Sequence, residues 1–170
     1  MIRYATRDDL AAILEIYNDA ILHTTAIYDY KPHSINDRIV WYDKKIAEGL
    51  PVLVFEENSV VTGFATFGAF RAWPAYKYTI EHSVYVHPNY QGKKIGSALL
   101  CELTKIANEK GYATMVAGID ASNAGSIIMH KKLGFTECGT ISSAGYKFGR
   151  WLDLVFYQYS LKGPEKPTED

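Results

Sequence analysis

Residues 84–100 read Val-Tyr-Val-His-Pro-Asn-Tyr-Gln-Gly-Lys-Lys-Ile-Gly-Ser-Ala-Leu-Leu, and this stretch decides the fold. An apolar strand leads into a turn with glycine and two lysines, and an amphipathic helix follows. Backbone N–H groups at a helix start are unpaired and carry partial positive charge. Gly92 and Gly96 let the backbone approach an anion closely, while Lys93 and Lys94 add positive charge. The stretch therefore predicts a turn that binds a pyrophosphate.

Two common phosphate-binding motifs are absent from this turn. A Walker A loop needs Gly-x-x-x-x-Gly-Lys-Ser/Thr, but Gly96 is followed directly by Ser97. The dinucleotide fingerprint Gly-x-Gly-x-x-Gly is also missing. The alternative is a plain glycine-containing turn that leads into a structural helix.

The elements around this turn alternate between helical and strand patterns. The predicted order is β-α-α-β-β-β-α-β-α-β-β, which describes a mixed α/β domain. We predict strands at residues 2–5, 52–55, 60–67, 78–86, 114–119, 135–141 and 148–161. We predict helices that begin at Thr6, Ser34, Ile95 and Asn123, and that end by His23, Gly49, Gly111 and Gly134.

Length and composition favour an ordinary globular protein. We expect a single domain over residues 1–162 and a flexible, proline-broken tail over residues 163–170. Hydrophobic residues make up 48%, charged residues make up 22%, and the net charge is −1. This balance gives no basic excess for nucleic acid.

The lack of recognisable targeting signals and the small number of cysteines favour the cytoplasm. No apolar run approaches the ~20 residues that span a bilayer, and Met1–Tyr4 lacks the features of a signal peptide. Two cysteines, Cys101 and Cys138, are too few for a disulfide framework, and we expect both to be buried as small apolar residues. We therefore expect a cytoplasmic protein without a membrane partner.

At this point the sequence resembles the GNAT superfamily of acetyltransferases. The family motif Arg/Gln-x-x-Gly-x-Gly/Ala appears at residues 91–96 as Gln-Gly-Lys-Lys-Ile-Gly, with Lys94 in place of the middle glycine. A downstream Asn followed by a helix and Leu-Gly-Phe appears at Asn123 and residues 133–135. The resemblance covers roughly residues 2–161 and implies a GNAT-like fold. That fold has a central, mostly antiparallel mixed sheet of about six or seven strands flanked by about four helices.

Four further blocks are similar to one group within that superfamily, the phosphinothricin acetyltransferases. They are residues 16–20, 24–26, 81–86 and 147–153. The nearest members of that group acetylate methionine sulfoximine and methionine sulfone. The similarity implies the same class of acceptor, a small amino-acid analogue acetylated on its α-amine.

The resemblance implies acetyl-coenzyme A as co-substrate and direct transfer in a ternary complex, without a covalent enzyme intermediate. Members of the narrower group are usually homodimers, so we expect a homodimer. The residues that would bind the cofactor are Val84, Tyr85, Val86, Gln91, Gly92, Lys93, Lys94, Ile95, Gly96, Ser97 and Asn123.

Glu81 is the candidate general base. An amine attacks a thioester only when it is deprotonated, and a carboxylate near the pocket can take its proton directly or through water. Glu81 alternates with Ser83 on one face of the predicted strand, while His82 points to the other face. A charge inside a central strand is costly unless it has a role. The alternatives are a structural salt bridge or exposure at an edge.

Two further positions complete the predicted site. Many family members use a tyrosine three residues before Leu-Gly-Phe to protonate the leaving thiolate, and His130 stands there, since histidine can donate at neutral pH. Its alternative is a surface histidine without a role. Arg71, Ala72, Trp73 and Tyr76 would bind a small zwitterionic acceptor, with the guanidinium on its carboxylate. The alternative for Arg71 is a solvated loop residue.

Other functions are open or unsupported. A polyamine or a protein N-terminus could be the acceptor, although a polyamine favours several acidic residues and a peptide needs an open groove. A non-catalytic module that binds acyl-coenzyme A is a second alternative, against which Glu81 argues. We expect no metal site, because no His-Glu-x-x-His or Cys-x-x-Cys motif occurs, and no Gly-x-Ser-x-Gly elbow indicates a hydrolase.

Overall fold

A computed structural model describes residues 1–169 of the chain. The predicted order of helices and strands is confirmed. The strands are β1 (Ile2–Tyr4), β2 (Val52–Glu57), β3 (Val60–Ala69), β4 (Thr79–Val86), β5 (Thr114–Asp120), β6 (Thr136–Lys147) and β7 (Arg150–Ser160). The helices are α1 (Leu10–His23), α2 (Ile35–Ala47), α3 (Ile95–Glu109) and α4 (Ala124–Lys132).

The seven strands form one sheet in the order β1-β2-β3-β4-β5-β7-β6. β4 and β5 pair in parallel, while β1–β2, β2–β3, β5–β7 and β6–β7 pair antiparallel. The mostly antiparallel mixed sheet and the four α-helices are therefore confirmed. The ladder between β4 and β5 has three residue pairs and ends at Glu81 and Val116. β4 nevertheless continues to Val86.

The described residues fall into two compact units. The first comprises Met1–Phe67 and Ser83–Leu103. Its core holds Leu10, Ile13 and Phe64, at most 2% exposed, among other apolar residues. Ser34 caps α2, because its Oγ accepts the Asp37 N–H and the Asp37 carboxylate accepts the Ser34 N–H in return.

The spacing of apolar residues in α2 predicts that Ile46 lies on the buried face of the helix. Ile46 is instead 52% exposed, whereas Arg38 is 2% exposed. The Arg38 guanidinium lies over the Tyr17 and Trp41 rings, at 4.0 and 4.6 Å from their centroids. These aromatic faces stabilise a cation in the core, and apolar periodicity alone does not show this.

The second unit comprises Gly68–His82 and Thr104 onward. Its final hairpin is longer than predicted, because β6 extends to Lys147 rather than ending at Ile141. The extension passes a shift in register between Ile141 and Gly145. Phe148 and Gly149 then form the turn with φ of +51° and +73°, as a two-residue hairpin requires. The polar segment after Ile141 hid this continuation from the sequence pattern.

The remaining expectations concern the cysteines, the C-terminal tail, the domain count and the membrane. Cys101 and Cys138 are both free and exposed, so the prediction that they are buried is wrong. Residues 163–169 form neither helix nor strand, yet the Thr168 N–H donates to the Tyr78 hydroxyl at 3.0 Å. The single domain over residues 1–162 stays a prediction. None of the helices within residues 1–169 has both the length and the apolar composition that crossing a membrane requires.

Candidate active site

Glu81 lies in the fourth of seven strands, with its neighbours on the opposite face buried. Ile80 and His82 are 1% and 9% exposed, whereas Glu81 is half-buried. Desolvation raises the pKa of the Glu81 carboxyl above its ordinary value, and the charge of Arg71 partly offsets this. Within residues 1–169 no hydrogen bond or salt bridge reaches this carboxylate. The alternative that Glu81 forms a structural salt bridge is therefore unsupported.

The carboxylate of Glu81 lies against the middle of β5, at Gly118. A Cβ placed on Gly118 would be 3.1 Å from Glu81 Oε1. Its next neighbours would be Leu154 Cδ1 at 3.4 Å and Phe156 Cε1 at 3.5 Å. Gly118 is exposed although the residues on both sides of it are buried. The sheet is thus open to solvent where the carboxylate lies, beside an apolar wall.

Gly118, Leu154 and Phe156 are site residues that sequence reasoning missed. The available signal was a glycine inside the buried run Thr114–Asp120, which often marks a close approach of another group. For Leu154 and Phe156 the signal was weaker. Alternation in β7 places them on one face, but only the sheet order shows which strand they neighbour.

The predicted acceptor residues Arg71, Ala72, Trp73 and Tyr76 form an exposed segment between β3 and β4. The Arg71 guanidinium lies 4.1 Å from the centroid of the Phe70 ring, and its Nη1 donates to the Phe70 carbonyl at 2.9 Å. Tyr76 packs edge-on against the same ring, with centroids 5.8 Å apart. Phe70 therefore organises the segment, while Trp73 remains 75% exposed.

The opposite face of β4 carries a buried histidine pair, His82 and His130. Their Nε2 atoms are 3.0 Å apart and their ring planes differ by 12°. Phe135 packs edge-on against both rings, at centroid distances of 5.7 and 5.0 Å. His130 is only 3% exposed. The alternative of a surface histidine without partners therefore does not describe His130.

The partners of the pair determine its protonation. His130 Nδ1 lies 2.7 Å from the Ser126 carbonyl oxygen, which can only accept, so Nδ1 carries the proton. His130 Nε2 then accepts from His82 Nε2, and His82 Nδ1 is left without a partner among residues 1–169. Burial lowers the pKa of both rings, that of His82 to about 3 with a further contribution from His130. Both rings are neutral at pH 7, and the N–H of His130 is already bonded.

The predicted pyrophosphate turn belongs to the first unit. Residues 91–94 are exposed, and Gly92 and Lys94 have φ of +79° and +63°. The first helical hydrogen bond of α3 runs from Ala98 N to Lys94 O at 3.0 Å. The N–H groups of residues 95–97 therefore precede any acceptor within the helix. This arrangement provides backbone donors and positive charge for an anion.

Two contacts position this turn. Gly63 in β3 lies under α3. A Cβ at this position would be 3.0 Å from both Ile95 Cγ2 and Tyr85 O, so a glycine here lets α3 pack closely on the sheet. Lys93 Nζ lies 3.4 Å from Glu57 Oε2 and 4.7 Å from the centroid of the Tyr90 ring. Lys94 adopts the left-handed backbone that the family motif assigns to glycine, and a lysine does so at a cost of ~1 kcal/mol.

Asn123, predicted to contact the cofactor, is the N-cap of α4. Its Oδ1 accepts the N–H of Ser126 at 3.1 Å. Asp120 begins the same turn and accepts from the N–H and the hydroxyl of Ser122, at 3.0 and 2.9 Å. The contact between Asn123 and a cofactor stays a prediction. Among residues 1–169, no cluster of three or more His, Cys, Asp or Glu side chains could hold a metal ion.

Comparison with known proteins gives consistent results. Residues 10–135 match the model of the acetyltransferase (GNAT) family. The chain is 51% identical to the L-methionine sulfoximine/L-methionine sulfone acetyltransferase of Salmonella typhimurium, over 94% of each chain. It is 46% identical to an L-amino acid N-acyltransferase of Escherichia coli, over 98% of this chain and 96% of the relative.

A solved structure agrees with the fold. The phosphinothricin acetyltransferase of Sinorhizobium meliloti, in complex with acetyl-coenzyme A, superposes with a TM-score of 0.95 at 37% identity. The match covers 99% of this chain and 93% of that one. The sheet order, the helix-start turn and these matches together show that the chain belongs to the acetyltransferase (GNAT) family.

Proposed function

We propose that this protein transfers an acetyl group from acetyl-coenzyme A to the α-amine of a small amino-acid analogue, by direct transfer in a ternary complex. The acceptors we propose are methionine sulfoximine, methionine sulfone and phosphinothricin. The observation that carries the proposal is the Glu81 carboxylate, which is half-buried and has no hydrogen bond to residues 1–169 where the sheet opens at Gly118. The relative that acts on methionine sulfoximine and methionine sulfone supports the acceptor class.

Glu81 would receive the proton of the acceptor amine. Burial raises the pKa of its carboxyl, which makes the carboxylate a better proton acceptor than an ordinary one. Its charge also holds the incoming ammonium. The apolar side chains of Leu154 and Phe156 beside it exclude part of the water, which strengthens that attraction.

Arg71, Ala72, Trp73 and Tyr76 would bind the rest of the acceptor. The Arg71 guanidinium can pair with a carboxylate through two parallel hydrogen bonds. Its charge is felt at Glu81, so the segment and the strand present opposite charges to one ligand. An α-amino acid carries both complementary charges. Trp73 is available to cover the side chain of the acceptor, because most of its surface is exposed.

The turn at the start of α3 fits the pyrophosphate of acetyl-coenzyme A. Gln91, Gly92, Lys93, Lys94, Ile95, Gly96 and Ser97 would hold it with backbone N–H groups and lysine charge. The backbone of residues 84–86 would bind the pantetheine arm, and the end of the β4–β5 ladder at Glu81 supports this. Asn123 would contact the cofactor further along. When bound, acetyl-coenzyme A supplies the acetyl group as an activated thioester.

We propose a narrower role for His130 than the one predicted from the sequence. To protonate the thiolate, His130 would have to break the hydrogen bond from its Nδ1–H to the Ser126 carbonyl and donate to the sulfur instead. A neutral imidazole is also a weak acid, and burial keeps the pKa of this ring low. We propose that the pair of His82 and His130 supports α4 and β4, and that the thiolate leaves without their help.

We also propose that the protein is a cytoplasmic homodimer. The β6–β7 hairpin exposes large apolar side chains, and β6 is the edge strand of the sheet. These side chains are Ile141, Tyr146, Phe148 and Trp151, which are 49–63% exposed. A long edge strand and an exposed apolar patch favour association. The free thiols of Cys101 and Cys138 suit a reducing compartment.

The proposal is tested by kcat/KM for five acceptors with acetyl-coenzyme A, measured by the release of free thiol. We expect methionine sulfone, methionine sulfoximine and phosphinothricin to exceed methionine, because polar groups placed for the oxygens would be left unpaired by the thioether. A polyamine or methionine that matches the sulfone would contradict the proposed acceptor class. Binding of acetyl-coenzyme A without thiol release for any amine would indicate a non-catalytic module.

A further inference from the structure

Gly118 is out of place by the ordinary rules of strands. Glycine weakens a strand relative to alanine, and Gly118 lies in the middle of β5, where it pairs with Phe156 of β7. Three features explain a glycine in a strand: a bulge, a left-handed backbone, or a close approach by another group.

The first two explanations fail. β5 pairs with β7 in an unbroken register from Thr114 opposite Ser160 to Asp120 opposite Leu154, so there is no bulge. The φ of Gly118 lies outside the left-handed range, so alanine could adopt the same backbone. The third explanation remains, and the approaching group is the Glu81 carboxylate, 3.1 Å from the Cβ position.

Register explains why these two residues meet. Glu81 pairs with Val116 in parallel, and Gly118 follows two residues later on the same face. A side chain that leans along the strand from Glu81 therefore passes over Gly118. Leu154 and Phe156 of β7 border the same spot, so a methyl group there would meet the carboxylate and both apolar side chains.

We propose that Gly118 is a positioning residue for the acetyl transfer, whose missing side chain lets the Glu81 carboxylate lie against β5. This inference rests on the proposed function. A methyl group at position 118 moves the carboxylate by a few tenths of an ångström, and a branched side chain moves it further and fills the opening. Because the backbone tolerates both substitutions, we expect activity to fall without a loss of stability.

The test is a series of Gly118→Ala and Gly118→Val, measured by kcat, by KM for both substrates and by thermal unfolding. We expect kcat to fall about tenfold for alanine and about a hundredfold for valine, since small misplacements of a catalytic group have effects of this size. The KM for acetyl-coenzyme A and the Tm should not worsen. Gly125→Ala is the matched control, because its Cβ would meet only Asn123 Oδ1 at 3.8 Å.

A second background separates positioning from general damage. Glu81→Asp shortens the acid and withdraws it from Gly118, so adding Gly118→Ala should cost less than about twofold there. A Gly118→Ala variant with wild-type kcat, or with a loss matched by a lower Tm, overturns the inference. So does an equal loss in both backgrounds. Failure of the wild-type protein to release thiol would instead contradict the proposed function.

Discussion

Glu81 and His82 are neighbours on one strand, yet their side chains meet opposite conditions. Glu81 points to a face that is open at Gly118, and its carboxylate has no hydrogen bond within residues 1–169. His82 points into the core, where its Nε2 bonds to His130. Burial moves both groups away from their charged forms, raising the pKa of the acid and lowering that of the base.

We propose that adjacent residues of this one strand serve catalysis and structural support separately. A carboxylate without a hydrogen-bond partner among residues 1–169 can receive a proton from a ligand. An imidazole whose nitrogen is hydrogen-bonded within the core instead holds two elements together. The backbone period of two residues enforces this division, because adjacent side chains face opposite sides. Perturbed pKa values alone would not distinguish the two roles.

The largest effect should come from Glu81→Gln, which removes the base and keeps the shape. We expect acetylation at pH 7 to slow by ~10²–10⁴. The defect should shrink as pH rises, because the free amine becomes abundant without the base. Steady-state rates between pH 6.5 and 9.5 measure this. Glu109→Gln, at the exposed end of α3, is the control and should match the wild type.

Arg71→Ala extends the comparison to the acceptor segment. We expect the KM for methionine sulfone to rise about tenfold, equivalent to ~1.4 kcal/mol, with the KM for acetyl-coenzyme A unchanged. Larger effects are not expected, because solvent screens this exposed guanidinium. A change in the KM for acetyl-coenzyme A alone would contradict the proposed role of Arg71 in binding the acceptor.

The buried histidine pair should make the free energy of unfolding depend on pH. Because the folded pKa of His82 is about 3 and that of His130 is also lowered, both lie below the unfolded value of ~6.5. Their neutral forms stabilise the fold fully above pH ~6.5, and that stability is lost as pH falls below it. For His82 the loss should approach ~1.4 kcal/mol per pH unit, and His130 should add a loss in the same direction.

Denaturant unfolding between pH 7 and 4.5 measures this loss. The double variant His82→Leu/His130→Leu should have a flatter profile, because it removes both groups whose pKa is lowered on folding. The control is His23→Gln, since His23 is exposed at the end of α1. A wild-type profile in the double variant would contradict the assignment of buried neutral histidines.

The smallest effect concerns Lys94, which occupies a left-handed position. Lys94→Gly should relieve ~1 kcal/mol of backbone strain and raise the Tm slightly. Its affinity for acetyl-coenzyme A should change only a few-fold, since backbone N–H groups remain. Lys94→Glu should weaken binding more, and more so at low salt. Calorimetry at two salt concentrations separates charge from backbone effects.

Periodicity and a few short motifs predicted most of the fold. The helices, the strand order along the chain and the placement of Glu81 and His82 on opposite faces follow from local patterns. The hairpin extension after Ile141 was missed, because a shift in register breaks the alternation. The burial of Arg38 was also missed, since it depends on aromatic rings from Tyr17 and Trp41 rather than on apolar spacing.

The site was predicted less completely than the fold. Individual residues such as Glu81 and Arg71 could be singled out, but Gly118, Leu154 and Phe156 become neighbours of Glu81 only through the sheet order. The bond between His82 and His130 links residues 48 positions apart and gives no local signal. Contacts of this kind arise from topology, which a single sequence encodes only indirectly.

We propose that the open face of β4 carries the chemistry and that its buried face supports the fold. The most direct measurement compares kcat/KM of Glu81→Gln with that of His82→Leu/His130→Leu, using acetyl-coenzyme A and methionine sulfone at pH 7.5 and a temperature where both are folded. The account predicts a loss of at least about a hundredfold for Glu81→Gln. It predicts a loss within about fivefold for the histidine variant. A larger loss for the histidine variant than for Glu81→Gln would contradict this division of roles. It would favour His130 as the proton donor to the thiolate.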